Sequence, residues 1–266
     1  MGTNEDGPSA AAAGAGGETA LANPCDVRDL PLDRLADMAA AGGQIRECYR
    51  LLRKGGGNIV GEVLRGHGAF CDWEHYPPGD VYDDETHAQY YYHAHPGAWR
   101  FVEHGHFHTF LRPLGMPAGV RPAGSVDDDA QGPEATGGNG APSHLVAISM
   151  DDAGYPLRLF TTNRWVTGET WYAADDVIRM LDRFVVDLAY PSLPVNIWIT
   201  AMLRLFRPEI EALIRERDAA LEASAAAGAG RSVHEDRDVE ILSSLEVSVE
   251  ERLEGVVRAL ELRQGR

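Results

Sequence analysis

Cysteine is scarce in this chain: Cys25, Cys48 and Cys71 are the three, and none falls in a CxxC spacing. An odd, sparse count excludes a disulfide framework and suits a reducing cytoplasm, the expected location. Basic residues are in deficit too, 24 Lys and Arg against 41 Asp and Glu, for a formal charge of −17. Nucleic-acid binders carry a basic patch or a basic balance, so no nucleic-acid partner is expected. The longest uncharged apolar-rich run, Leu188 to Leu203, is short for a membrane span and contains Pro191 and Pro194. The N-terminus, MGTNEDGPSAAAAGAGG, has neither the basic nor the apolar region of a secretory signal. There is no GxxxxGK[ST] loop and no GxGxxG after a strand, which argues against ATP and dinucleotide binding.

Histidine is what the chain does have, concentrated in one place. Six of the ten histidines lie between His87 and Phe110, in HAQYYYHAHPGAWRFVEHGHFHTF. His93 and His95 alternate, as do His104, His106 and His108, among β-favouring Tyr, Trp, Phe, Val and Thr residues. Successive side chains of a strand point to opposite faces, so each group shares one face of its strand. If the strands pair as an antiparallel hairpin, registers in which paired residue numbers add to an odd value put all five histidines on the same face. A turn close to Pro96 and Gly97 pairs Tyr91 with His104; a longer loop pairs His93 with His106. Both remain open. Opposed residues lie about 4.5 to 5.5 Å apart at Cα, close enough for several imidazoles to converge on one ion.

The rest of the chain supplies a frame. Residues 1–24 are Ala, Gly and polar residues without period and read as a disordered tail; 25–266 reads as a single α+β domain. Pro31 to Lys54 is an amphipathic helix with an expected interruption at Gly42-Gly43. Asn58 to Thr86 reads as loop-rich, with Pro77-Pro78-Gly79-Asp80 a turn and its acids, Glu74 and Asp80 among them, candidates to support the histidines. Residues 112–142, rich in Pro, Gly and Asp, read as a flexible insertion. His144–Met150 and Leu157–Val166 read as a hairpin around Asp151–Gly154, giving four strands in an antiparallel sheet. Helices are expected over 170–189, over 195–226 with a kink at Pro208, and after the capping box Ser248-Val249-Glu250-Glu251, with a further strand over 239–247. The fold class expected is α+β, an antiparallel sheet carrying the histidine cluster and covered by C-terminal helices.

The segments HYPPGDVYDD, QYYYHAHP and EHGHFHTFLR resemble a bacterial family of unknown function with comparable histidine-rich blocks, across the middle and C-terminal parts of the chain. That resemblance implies no activity. More loosely, the His-Xaa-His runs are similar to the ligand patterns of cupins and of carbonic hydratases that bind zinc through strand histidines; the following glutamate and second glycine block of cupins are absent, so no residue role carries over.

Neutral imidazole is a common donor to Fe, Cu, Ni and Zn, and five alternating histidines in sixteen residues outweigh the alternative of a merely polar strand face. The expected cofactor is a transition metal, iron or copper before zinc, held by three or four of His93, His95, His104, His106 and His108. Glu103 and Tyr91 are candidate catalytic groups, although on a regular strand Glu103 points away from His104 unless a bulge at Gly105 reverses it. Arg164 is a candidate anchor for a substrate carboxylate, with a surface ion pair to Asp175 or Glu169 as its alternative. The expectation is a mononuclear metalloenzyme, an oxidoreductase or oxygenase on a small molecule. The alternatives are a zinc hydrolase or lyase with Glu103 or Glu74 as general base, and a non-enzymatic metal-binding protein. No oligomeric state follows from the sequence.

Overall fold

The computed structural model describes residues 26–95, 102–123, 140–226 and 233–265. The expected tail over 1–24 and the centre of the expected 112–142 insertion lie outside these residues, as does the Pro96–Ala98 turn.

Six strands form one antiparallel sheet in chain order: β1 (Tyr76–Tyr82), β2 (Ala88–His93), β3 (Gly105–Leu111), β4 (Ser143–Met150), β5 (Pro156–Thr162) and β6 (Ile241–Glu246). The register of β2 on β3 pairs His93 with His106 and Tyr91 with His108, the odd-sum register of the longer loop. β1 was expected to be a turn. Pro77 and Pro78 cannot donate to a ladder, but an edge strand needs donors on one side alone, and an irregular register with Gly79 and Asp80 at positive φ absorbs the rest.

Alternation gives the sheet two unlike faces. Tyr90, Tyr92, Phe107, Ile148, Leu159 and Leu245 point into the main core. The opposite face carries Tyr91, His93, His106, His108, Ala147, Ser149, Arg158 and Phe160.

Seven α-helices occur among the described residues: α1 (Leu32–Lys54), α2 (Ile59–Val63), α3 (Arg164–Thr167), α4 (Ala174–Met180), α5 (Leu193–Leu205), α6 (Arg207–Ala226) and α7 (Val249–Arg263). Trp198 of α5 is fully buried against Phe107 and donates its indole N–H to the Tyr49 hydroxyl of α1. Tyr90 donates to Asn196, whose amide in turn donates to the Leu188 and Tyr190 carbonyls, so one buried network ties β2 to α5. Packing of this kind orders helices that propensity alone would leave marginal.

Several boundaries differ from expectation for local reasons. Helix α1 runs unbroken through Gly42-Gly43. A Cβ on Gly42 would lie 2.5 Å from Leu253 Cδ1, so this glycine makes room for α7. The expected helix over 170–189 is the short α4 followed by a single 3₁₀ turn. The expected kink at Pro208 is a break after Phe206, with the proline in the first turn of α6, where its missing N–H costs nothing. Ser248 caps α7 as expected: its hydroxyl accepts the Glu251 N–H at 3.3 Å. No helix among the described residues is long and apolar enough to cross a membrane.

Candidate metal centre

Strands β2 and β3 bring His93, His106 and His108 together on the sheet face away from the core. One ring nitrogen from each lies within 4.8 Å of the other two. Their ring centroids are separated by 4.6, 5.1 and 4.9 Å. An imidazole bound through nitrogen at about 2.0 to 2.1 Å puts its centroid about 3.1 Å from the metal, so three such rings in tetrahedral directions stand about 5 Å apart. The spacing fits one shared ion. His93 Nε2 and His106 Nε2 are 2.8 Å apart, and ligation would open them to about 3.3 Å.

What lies behind the rings fixes their orientation. His106 donates from Nδ1 to Glu103 Oε1 at 2.7 Å, so the neutral ring turns its Nε2 lone pair toward His93. His108 Nδ1 bonds His144 Nε2 at 3.0 Å. His108 Nε2 is buried and has no hydrogen-bond partner among the described residues, one of a few such atoms there. Such an atom, facing two further imidazoles, is what a ligand nitrogen looks like without its ion.

Electrostatics keep the rings neutral. Burial, reinforced by His106, His75 and His95, pulls His93 down to about 2. Burial likewise lowers His106 and, together with the neighbouring imidazoles, His108; His144 falls to about 3 through burial, Arg217 and His106. Burial pushes Glu103 upward, but its bonds to His106 and Ser149 and the nearby Arg158 outweigh that and hold it below the usual carboxylate range. A carboxylate behind a neutral imidazole raises the basicity of the ring as a donor.

The other predicted residues have different places. His104 turns over: its Nδ1 bonds the Tyr92 hydroxyl at 2.8 Å and its ring packs on Phe70, away from the three-histidine group. The reason is that β3 begins at Gly105, so alternation does not extend back to 104; the same break swings Glu103 toward His106. Gly105 is needed there, because a Cβ would lie 2.6 Å from the His93 carbonyl oxygen and 2.7 Å from the Tyr92 hydroxyl. His95 stands at the rim, 5.3 Å from His106 between centroids, stacked on Trp73 and paired with Glu240 at 3.3 Å, which raises its proton affinity.

Tyr91 is buried among His75, His93, His108 and Phe110, and burial holds its hydroxyl protonated. Arg164 pairs with Glu235 at 2.8 Å. Glu74 is exposed.

Two supporting residues carried little signal in the sequence. His144 is a single histidine at the start of an apolar strand, and its role depends on the β3–β4 register. His75, stacked on Tyr91 at 3.6 Å and bonded to Asp80 at 2.9 Å, belongs to the stretch where only a general supporting role was legible.

No curated protein and no solved structure is significantly similar to the chain. Residues 39–247, which include every residue of the centre, match the model of the domain of unknown function DUF6969, and the chain belongs to that family.

Proposed function

We propose that this protein is a metalloenzyme with a mononuclear three-histidine centre at His93, His106 and His108, and that it is an iron- or copper-dependent oxidoreductase acting on a small molecule. The observation that carries the proposal is the convergence of three neutral imidazoles at a site where the buried His108 Nε2 has no hydrogen-bond partner among the described residues. A bound iron or copper would supply one-electron redox chemistry, and three nitrogen donors would leave coordination positions for substrate.

The chain's own residues hold and shield the centre. Glu103 fixes the His106 tautomer, His144 fixes His108, and Tyr91, Phe110 and Phe160 wall the rings with apolar surface that excludes water. The choice of redox chemistry over hydrolysis rests on the neighbouring carboxylates. Glu103 is engaged by His106 and Ser149, Asp80 by His75 and Gln89, and Glu240 by His95. A zinc hydrolase that relies on a carboxylate general base would need one of these acids to leave its partner. Redox chemistry does not require one.

Elemental analysis of protein purified without a histidine tag tests the proposal. About one iron or copper per chain is expected, falling below a tenth in His106→Ala and His108→Ala variants that retain the native fold. Stoichiometric zinc in a redox-inactive protein would favour the hydrolytic reading. Absence of bound metal after equilibration with each ion would refute the centre.

A further inference from the structure

Strand β4 carries one residue more than β3 can pair. Thr109 of β3 pairs with Val146 and Phe110 pairs with His144, so Leu145 stands opposite no partner and forms a β-bulge. The extra residue decides where His144 points. Ala147 and Ser149 lie on the histidine face, opposite His108 and His106, and unbroken alternation back from them would put Leu145 on that face and His144 in the core. With the bulge, Leu145 and Val146 both enter the core cluster, and His144 emerges beside His108 with their ring centroids 5.0 Å apart. Two side chains hold the irregular backbone. The Thr109 hydroxyl donates to the Val146 carbonyl at 2.7 Å and accepts the Val146 N–H at 3.3 Å. The pairing of β4 with β5 ends at Ala147 and Phe160, and beyond it the buried Glu169 carboxylate accepts the backbone N–H of His144 at 2.6 Å.

We propose that the β4 bulge aims His144 at His108, and that Thr109 and Glu169, which hold the bulge, are positioning residues of the centre; the proposal rests on the reading of His108 as a metal ligand. His108 Nδ1 and His144 Nε2 are 3.0 Å apart, and between two neutral imidazoles one nitrogen must donate and the other accept. If His108 donates, its Nε2 keeps the bare lone pair that a metal requires. If His144 donates, His108 carries its proton on Nε2 and cannot ligate through it. The direction of this one bond therefore sets the ligand state of His108, as the bond to Glu103 sets that of His106. Both arrangements put an acceptor behind the ring, and for His108 the acceptor is there because the strand is irregular. A β3–β4 ladder without the extra residue would pair the same backbone groups directly. The bulge weakens that ladder locally, and its effect is on the side chain it re-aims.

The test reads imidazole tautomers in metal-free protein and cobalt(II) affinity on the same preparations. Long-range proton–nitrogen correlations of the full-length protein with nitrogen-labelled histidine report which ring nitrogen is protonated, and His108 is identified by the loss of its signals in His108→Ala. Wild type should show His108 protonated at Nδ1 alone. Thr109→Val, which keeps the shape but leaves both Val146 groups without the hydroxyl, and Glu169→Ala should each move the His108 proton at least partly to Nε2. Both should weaken cobalt(II) binding about tenfold or more in competition with a chelator. Thr109→Ser and Glu169→Gln keep the bonding groups and should restore the wild-type tautomer and affinity. A His108 proton on Nε2 in wild type would overturn the proposal without any variant. So would folded Thr109→Val and Glu169→Ala proteins that keep the wild-type tautomer, whatever stability they lose. A tautomer shift in these variants of a protein that takes up no cobalt would support the aiming of His144 by the bulge while removing the metal reading, so the two fail separately.

Discussion

Truncating Glu103 to alanine isolates the contribution of the residue behind the candidate ligand His106. The native carboxylate accepts the His106 Nδ1–H at 2.7 Å and the Ser149 hydroxyl at 2.6 Å, with Arg158 beside it, in a site where its side chain is 13% exposed. Such a bond is charge-assisted and largely shielded from water, and its loss frees the His106 ring to rotate and change tautomer. Removing a supporting partner of this kind lowers metal affinity about 10- to 100-fold, or about 1.4 to 2.7 kcal/mol. Alanine should reach the upper end, because orientation and charge are lost together. Glutamine should fall near the lower end: its amide oxygen still accepts from Nδ1, but its NH₂ group then faces the Arg158 donors. The assay is competition of each folded variant with a chelator of known affinity, followed through a cobalt or zinc signal. Metal affinity within twofold of wild type in Glu103→Ala would refute the argument that Glu103 acts through His106.

Further outcomes follow from other parts of the fold. Gly105→Ala forces a methyl against the His93 carbonyl and the Tyr92 hydroxyl, and the backbone contact cannot yield by side-chain rotation. It should cost about 1 to 3 kcal/mol, seen as a lowered melting temperature, with weaker metal binding because β2 and β3 separate where the histidines face; an unchanged melting curve would contradict it. Buried Glu169, whose carboxylate accepts the backbone N–H of His144 at 2.6 Å, is raised from 4.5 to about 7 by desolvation, Arg217 and the His144 and Thr167 bonds opposing. With the folded value above the unfolded one, its contribution is full below about pH 4.5 and is lost progressively as pH rises through about 7, by up to about 3 kcal/mol. Glu169→Gln should therefore match wild type near pH 4.5 and exceed it in denaturant stability at pH 8; parallel stability profiles would contradict the burial argument.

The candidate site was legible to the extent that it rests on alternation. His93, His106 and His108 share a face in any odd-sum register, and the sequence left two such registers open because the eleven residues from Ala94 to His104 do not specify where the turn lies. His104 and Glu103 lie on the opposite faces from those expected, since alternation holds inside a strand and fails one residue outside it. His144 and Arg158 became visible only through pairing with β4 and β5, which is non-local information. The α+β class and the C-terminal helices followed from period and capping. The edge strand β1 was hidden by two prolines, whose preference for turns is strong locally but is overridden where no second neighbour needs their N–H groups. The helix over 170–189 was overextended because buried Phe184 and Val186 continue an apolar stripe after the backbone has left the helix.

The central claim is that three imidazoles of this face bind one metal ion together. X-ray absorption at the metal edge of protein carrying one equivalent of iron or copper measures that directly. The account predicts three imidazole nitrogens at about 2.0 to 2.1 Å, with the imidazole count falling to two in His93→Ala. A first shell of oxygen alone, a sulfur scatterer, or an imidazole count unchanged in that variant would contradict it.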